Sequence, residues 1–464
     1  MKLSSTLSVT VALLATFVIL VLSSIVWLPS RQKQLNLPPG PWGWPVFGSL
    51  GFLAGALLPH CALAALAARH GPLMHLRLGS FHAVVVSSAE AARLVLKTHD
   101  LTFADRPLTS FGKIIVYGYK GILETPNGPY WRMAWKLCAT ELLSVRRVES
   151  FEHVRTEEMR ALVHGLSECA GAIMPLRERL LSHRMRNTLR MYEAFAVTGT
   201  VSNLGEWVPW LGWLDVQGFV RRMKRVHELF KQFFKQILNE HEKDYRKSHD
   251  ARASAEFVAR DLVDVLLRLV EEGDDMLEEQ EARLTRDGVK AFIHDIMIGG
   301  MKNTAVTIER WVTERDLPDL PYSDALVKET IRLHPASPIM FPHRAREDTV
   351  VGGYDIPAGM RVLVNAWAMA RNPASWPDAL DAFRPERFLA GGSAEGVDVR
   401  GAHFQLLPFG SGHRMCPAYN LALKEVAAPL ANLVHGFTWR LPDGVPLVTV
   451  PKCRLPAYLY ATVD

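Results

Sequence analysis

The chain has 464 residues, 48% hydrophobic and 22% charged, which excludes a disordered protein and permits a large buried core. Lys and Arg number 53 against 48 Asp and Glu, and a net charge of +5 over this length is no nucleic-acid footprint. Five Cys at wide spacing, without a CxxC, argue against a disulfide scaffold or zinc ribbon and fit a reducing compartment.

Leu7 to Leu28 carries no charge over 22 residues. At about 1.5 Å per residue it reaches across the roughly 30 Å hydrocarbon core of a bilayer. Lys2 precedes the run, Arg31 and Lys33 follow it, and Trp27 stands where an interfacial aromatic belongs. The apolar part of a cleaved signal peptide is shorter, about 7–15 residues. Residues 1–30 are therefore expected to be an uncleaved membrane anchor. Residues 31–48 end in LPPGPWGWPVFG, where Pro38, Pro39, Pro41 and Pro45 stop any helix and leave a stiff hinge.

Residues 49–464 read as one mainly α domain with a minor β part. A β-like patch covers Leu73 to Ser87. WVPWLGWL, with Trp207, Trp210 and Trp213, reads as a connector broken by Pro209, its tryptophans serving either packing or a membrane interface. Arg222 to Glu242 is the clearest helix: Met223, Val226, Phe230, Phe233, Phe234, Ile237 and Leu238 recur at three- and four-residue spacing. Thr349 to Val364 reads as two short strands around Gly and Pro turns, and loops follow until a helix after Cys416.

Three motifs carry chemistry. PFGSGHRMCPA (Pro408–Ala418) sets Cys416 in a loop with Gly410 and Gly412 upstream and a helical run downstream. Glycines let amides turn toward a sulfur, and a helix N-terminus favours an anion there. Arg414 can pair with an acidic group of a bound cofactor. KETIRLHP (Lys328–Pro335) puts Glu329 and Arg332 on one helical face. FRPERF (Phe383–Phe388) supplies Arg387, a partner for Glu329. No HExxH, CxxC or GxGxxG fingerprint points to another cofactor.

In this order the motifs resemble the cytochrome P-450 haem-thiolate monooxygenases, in particular plant microsomal members of the flavonoid and terpenoid hydroxylase type. PFGSGHRMCPA is similar to their haem loop at Phe409, Gly410, Gly412, Arg414 and Cys416. KETIR and FRPERF resemble the two parts of a structural Glu329–Arg332–Arg387 triad. LPPGPWGWPVFG resembles the proline-rich hinge, and TFADRP (Thr102–Pro107) is a further familiar segment.

The resemblance implies haem as cofactor, with Cys416 as the axial thiolate on iron, Arg414 and His343 at the haem carboxylates, and Thr304, one residue past the family's hydroxyl position, as a partial substitute for the proton-relay hydroxyl. It implies insertion of one atom of O2 into a small lipophilic substrate, electrons from NADPH-cytochrome P-450 reductase, and an endoplasmic-reticulum anchor with a cytosolic catalytic domain.

Departures from the family pattern define a rival expectation: a catalytically impaired or inactive haem-binding relative. The central helix reads IGGMKNT (Ile298–Thr304), with Lys302 at the acid position and Asn303 at the hydroxyl beside it. Trp135 replaces the Arg of the family's WxxxR element, leaving Arg132 or Lys136 to compensate. Ala418 replaces a Gly, His413 takes a commonly basic position, and Pro429 interrupts the helix after Cys416. The chain is also expected to be shortened near residues 190, 311 and 445.

Overall fold

The computed structural model describes residues 12–13, 16, 35–53, 58–172, 174–175, 203–215, 217–251, 259, 261–271, 283–303, 320–440 and 448–454. The eight helices that frame the site are α1 (Pro59–His70), α2 (Pro129–Leu137), α3 (Glu152–Glu168), α4 (Phe219–Ala251), α5 (Leu262–Glu271), α6 (Arg286–Asn303), α7 (Pro321–Leu333) and α8 (Tyr419–Gly436). The strands are β1 (Leu73–Leu78), β2 (Phe81–Val86), β3 (His343–Arg344), β4 (Thr349–Val351), β5 (Tyr354–Ile356), β6 (Arg361–Val364), β7 (Phe437–Arg440) and β8 (Val448–Cys453), with a two-residue strand at Met174–Pro175.

The apolar stripe read from the sequence buries Met223, Val226, Phe230, Phe234 and Leu238 of α4, whose helix extends past the expected ends. These side chains form one core with Val265 and Leu266 of α5 and Val289, Phe292 and Ile293 of α6. Burial of a large aliphatic or aromatic side chain contributes about 1.5–3 kcal/mol, so this stripe fixes the central helix.

The Leu73–Ser87 patch forms a hairpin. β1 and β2 are antiparallel, with Leu73 opposite Val86 and Leu78 opposite Phe81. β2 runs parallel to β6, and β3 pairs antiparallel with β6, giving the sheet order β1-β2-β6-β3. The Thr349–Val364 stretch forms three strands rather than two, because β4 and β5 pair with each other while β6 joins the larger sheet. Sequence reading also missed the terminal pair β7–β8, which Met174–Pro175 extends.

The tryptophan connector is not an open loop. Leu204–Trp207 and Pro209–Gly212 are short helices, since Pro209 at the first helical position needs no N–H partner. Trp207 is buried and its carbonyl accepts Ser80 N–H at 2.8 Å. Gly79 in the β1–β2 turn has φ 62°, and a Cβ there would meet that carbonyl, so this position requires glycine. Arg361 lies over both Phe81 and Trp207, at 4.1 and 4.7 Å. Trp213 is 80% exposed. Trp207 is core and Trp213 faces outward.

The helix after Cys416 is continuous from Tyr419 to Gly436, so Pro429 lies within one helix and does not end it. Among the described residues no helix is long and apolar enough to cross a membrane. The expected anchor, Leu7–Leu28, lies outside the described residues save Ala12, Leu13 and Thr16.

Candidate haem-thiolate site

The Cys416 loop is a folded turn held from several sides. Gly410 and Gly412 have φ of 73° and 71°, and a Cβ on Gly412 would meet Leu96 carbonyl oxygen and the Asp100 carboxylate. Asp100 in turn accepts His413 N–H, and its Oδ2 lies 2.6 Å from His413 Nδ1. Cys416 donates its N–H to the Phe409 carbonyl at 2.8 Å. Phe409 packs against the cluster of Ala325, Trp376, Phe388 and Leu406. Burial pushes the Cys416 thiol up, while the Ala418 N–H, directed at the sulfur, opposes that shift. Ala418 sits at φ −92°, so the methyl group in place of the family's Gly costs nothing in backbone conformation.

Arg414 points away from solvent. It donates to the carbonyls of Ala104 at 2.7 Å, Ile122 at 3.4 Å and Thr125 at 2.8 Å, and lies 4.1 Å over the Trp131 ring. Burial, then neighbouring Arg106, lowers it to about 9. His343 is buried 2.8 Å from Phe103 carbonyl oxygen, so its Nδ1 carries the proton. Burial, followed by Arg106, lowers it to about 3, and the ring is neutral at physiological pH. Its Nε2 therefore reaches a carboxylate only by taking up a proton.

Glu329, Arg332 and Arg387 come together in full burial. Arg332 is bidentate to Glu329, Nε to Oε2 at 2.7 Å and the terminal nitrogen to Oε1 at 2.8 Å. Arg387 Nε donates to Glu329 Oε1 at 3.2 Å, and the Arg384 backbone N–H donates to the same oxygen at 2.9 Å. The remaining guanidinium protons go to carbonyls of Ala370, Leu380, Asp378 and Ala379. Burial favours the neutral acid, but the Arg332 hydrogen bond, the Arg384 amide and both positive charges outweigh it and hold Glu329 below the usual carboxylate range. This group docks α7 against the Pro385–Phe388 turn, beneath the cluster that carries Phe409. Glu329→Ala would leave two buried guanidinium groups without their anion. Removing one partner of such a set costs about 3–5 kcal/mol. The variant is expected to unfold at much lower urea concentration, and a midpoint close to wild type would sink this account.

Sequence reasoning missed the residues that hold the loop over α6. Asp295 of α6 accepts the N–H groups of Ile122 and Leu123, at 2.6 and 3.2 Å. Arg106 binds the Leu123 carbonyl at 3.0 Å and those of Phe341 and Pro342 at 2.9 Å. The loop thus offers its amides to one helix and its carbonyls to Arg106 and Arg414. Buried Glu124 accepts the Thr109 hydroxyl at 3.1 Å. Burial raises its carboxyl to about 7 from 4.5, with Arg106 opposing.

The folded state holds that proton more tightly than the unfolded chain does. Glu124 therefore costs nothing below pH 4.5 and destabilises the fold progressively as pH rises to about 7. Wild-type stability should fall over that window by about 3 kcal/mol relative to Glu124→Gln. Parallel pH profiles of the urea midpoints would contradict it.

Two sequence assignments fare otherwise. Arg132 is exposed on α2, as is Lys136, because α2 turns Trp131 and Trp135 inward instead. Thr304 lies outside the described residues, and Lys302 stands in the last turn of α6.

The sequence model of the cytochrome P-450 family matches residues 38–195, 177–313 and 309–455. The chain belongs to this family of haem-dependent monooxygenases. It is 58% identical to the trimethyltridecatetraene synthase of Zea mays, over 98% of this chain and 96% of the relative. It is 56% identical to the dimethylnonatriene synthase of Zea mays, over the whole of both. The flavonoid 3'-monooxygenase of Petunia hybrida is 33% identical over 93% of this chain and 94% of the relative. The alignment with the first spans 532 positions, more than this chain's 464 residues, so that relative carries stretches absent here. A solved zebrafish cytochrome P-450 shares the fold at 24% identity and a TM-score of 0.69, covering 86% of this chain and 98% of its own.

The cofactor of the family is haem, and the residues present fit it. The Cys416 loop presents a sulfur with an amide directed at it. Trp131 has a buried indole N–H without a partner beside Arg414. A Cβ on Gly299 of α6 would meet nothing within 4 Å, which leaves room alongside the helix.

Proposed function

We propose that this chain is a microsomal haem monooxygenase acting on an acyclic, branched isoprenoid, with electrons from NADPH-cytochrome P-450 reductase. The observation that carries the substrate class is the identity above 55% to two synthases named for acyclic branched polyenes, against 33% to a flavonoid enzyme. Cys416 would hold the iron. The haem supplies oxygen activation when bound. The chain's own part is to set the sulfur, keep its loop rigid through Phe409 and Asp100, and close the pocket with the Ile122–Leu123 turn on Asp295.

The anchor over residues 1–30, the hinge over 31–48 and a cytosolic domain over 49–464 belong to the same reading. Trp42, Trp44 and Phe47 are exposed beside the β1–β2 hairpin, to which Gly48 bridges at Leu78. Exposed Trp213 follows the connector docked on the turn of that hairpin. Aromatics gathered there suit an endoplasmic-reticulum interface.

The test is to express the full chain in microsomes with the reductase. The expected results are a red-shifted Soret band in the reduced carbon-monoxide difference spectrum and oxidation of an acyclic terpene alcohol, but not of a flavonoid. No band, or flavonoid oxidation alone, would refute the reading.

A second reading is favoured by Lys302, Trp135 and the missing stretches: a relative that holds haem and turns over poorly. Shortening near 190 and 311 is supported by the three separate family-matching segments, which meet at 177–195 and 309–313. A strong band without product would select this second reading.

A further inference from the structure

The outer face of the β1–β2 hairpin brings two histidines together. Burial alternates along β1, so Leu76 and Leu78 face the core while His75 and Arg77 face outward. In the antiparallel register His75 stands opposite Val84 and Arg77 opposite His82, which makes His75 and His82 diagonal neighbours on that face. His75 Nε2 and His82 Nδ1 are 2.8 Å apart, and the rings stack with centroids 5.1 Å apart and planes 19° apart. The backbone beneath them is held from the far side as well. His75 donates its N–H to the Pro39 carbonyl at 2.9 Å, and a Cβ on Gly40 would meet the His75 carbonyl, so the hinge lies along the strand.

Both imidazoles are uncharged at physiological pH. Burial, then His82 and Arg77, lowers His75 to about 4, and burial followed by Arg77 lowers His82. Neutral imidazole is the form that ligates a metal. A metal–imidazole bond is about 2.0–2.1 Å, so two of them at a right angle set their nitrogens about 2.8–3.0 Å apart, and at a tetrahedral angle about 3.3–3.4 Å apart. The 2.8 Å between these nitrogens matches the right angle, which is the geometry of tetragonal Cu(II). We propose that His75 and His82 form a two-imidazole site for a copper(II) ion on the β1–β2 hairpin, independent of Cys416, with water completing the coordination. On binding, the hydrogen bond between the rings is given up and each ring turns until the two lone pairs converge on the ion. His82 is exposed and has space to turn. Each ring keeps one proton, on the nitrogen that does not ligate. Arg77 repels the ion, but its terminal nitrogen is held on the Trp44 carbonyl at 2.6 Å. Copper(II) also binds nitrogen sites more tightly than the other divalent first-row ions do.

The test titrates the full chain with CuCl2, its exposed thiols first alkylated, and follows bound copper by equilibrium dialysis and by the nitrogen splitting of its electron paramagnetic resonance signal. Wild type should show one copper with two nitrogen ligands. His82→Asn and His75→Gln should each weaken that site by at least about 10–100-fold, the loss that even an outer partner of a metal ligand commands. His82→Asn changes an exposed side chain, so its circular dichroism should match wild type. Cys416→Ser should bind this copper as wild type does, whether or not haem is taken up. Excess Mg2+, which prefers oxygen ligands, should not displace it. Copper bound equally by wild type and His82→Asn, or bound with fewer than two nitrogens, would overturn the proposal. So would loss of the site in Cys416→Ser or its displacement by Mg2+.

Discussion

Cys416→Ser is expected to abolish the red-shifted carbon-monoxide band entirely, while Cys138→Ser leaves it in place per folded molecule. The contrast follows from the two environments. Cys416 sits half-buried in a loop whose backbone is fixed by the Phe409 carbonyl and whose Ala418 amide aims at the sulfur. That amide stabilises a thiolate, and a bound cation such as iron does so far more strongly. A serine hydroxyl in the same place stays protonated and gives iron no comparable anion. Cys138 is fully buried in the apolar core beside Ala134, Phe234 and Val265, and burial, then Asp295 and Cys416, pushes its thiol up. It remains a protonated, inert side chain. Cys138→Ser would place an unpaired hydroxyl in that core and cost about 1–3 kcal/mol of stability, which lowers yield without changing the spectrum. Equal loss of the band in both variants would reject Cys416 as the ligand.

The Glu329–Arg332 pair and the cysteine loop, both legible in the sequence, share a physical property: their geometry is local. Glu329 and Arg332 are three residues apart on one helix, so their meeting needs no tertiary knowledge, and a buried Arg387 demands an anion wherever it lands. The cysteine loop is likewise self-contained, its glycines at positive φ and its Phe409–Cys416 hydrogen bond all within eleven residues. What stayed hidden depends on partners far along the chain. Arg106 binds carbonyls at Phe341 and Pro342, which no local pattern relates to it. Asp295 is one of several polar residues of α6, and only the fold shows that it faces two amides of the Ile122–Leu123 turn. Gly79 reads as an ordinary turn glycine until Trp207 is placed against it. Arg132 shows how charge alone leaves orientation open. Its charge suggests a place at the haem, while the buried residues of α2 are Trp131, Met133 and Ala134 and the arginine is exposed.

The other large effect expected is a gain. Lys302→Glu should raise turnover in the presence of reductase by about 10²-fold or more, since a positioned proton donor contributes roughly 10²–10⁴-fold. Position 302 lies three residues past Gly299 in α6, on the same helix face as the open space beside that glycine. A lysine there places an ammonium group where the family pattern has an acid. Glutamate can pass protons through its own carboxyl and through water bound to it. Lys302→Gln separates the two causes, because it removes the cation without adding an acid. Turnover that rises only with Glu identifies proton delivery, and consumption of NADPH should become more tightly coupled to product in the same variant. If Gln raises turnover as much as Glu, the obstacle was charge repulsion or bulk. If neither does, the stretches that the relatives carry and this chain lacks, rather than the proton path, set the rate of this enzyme.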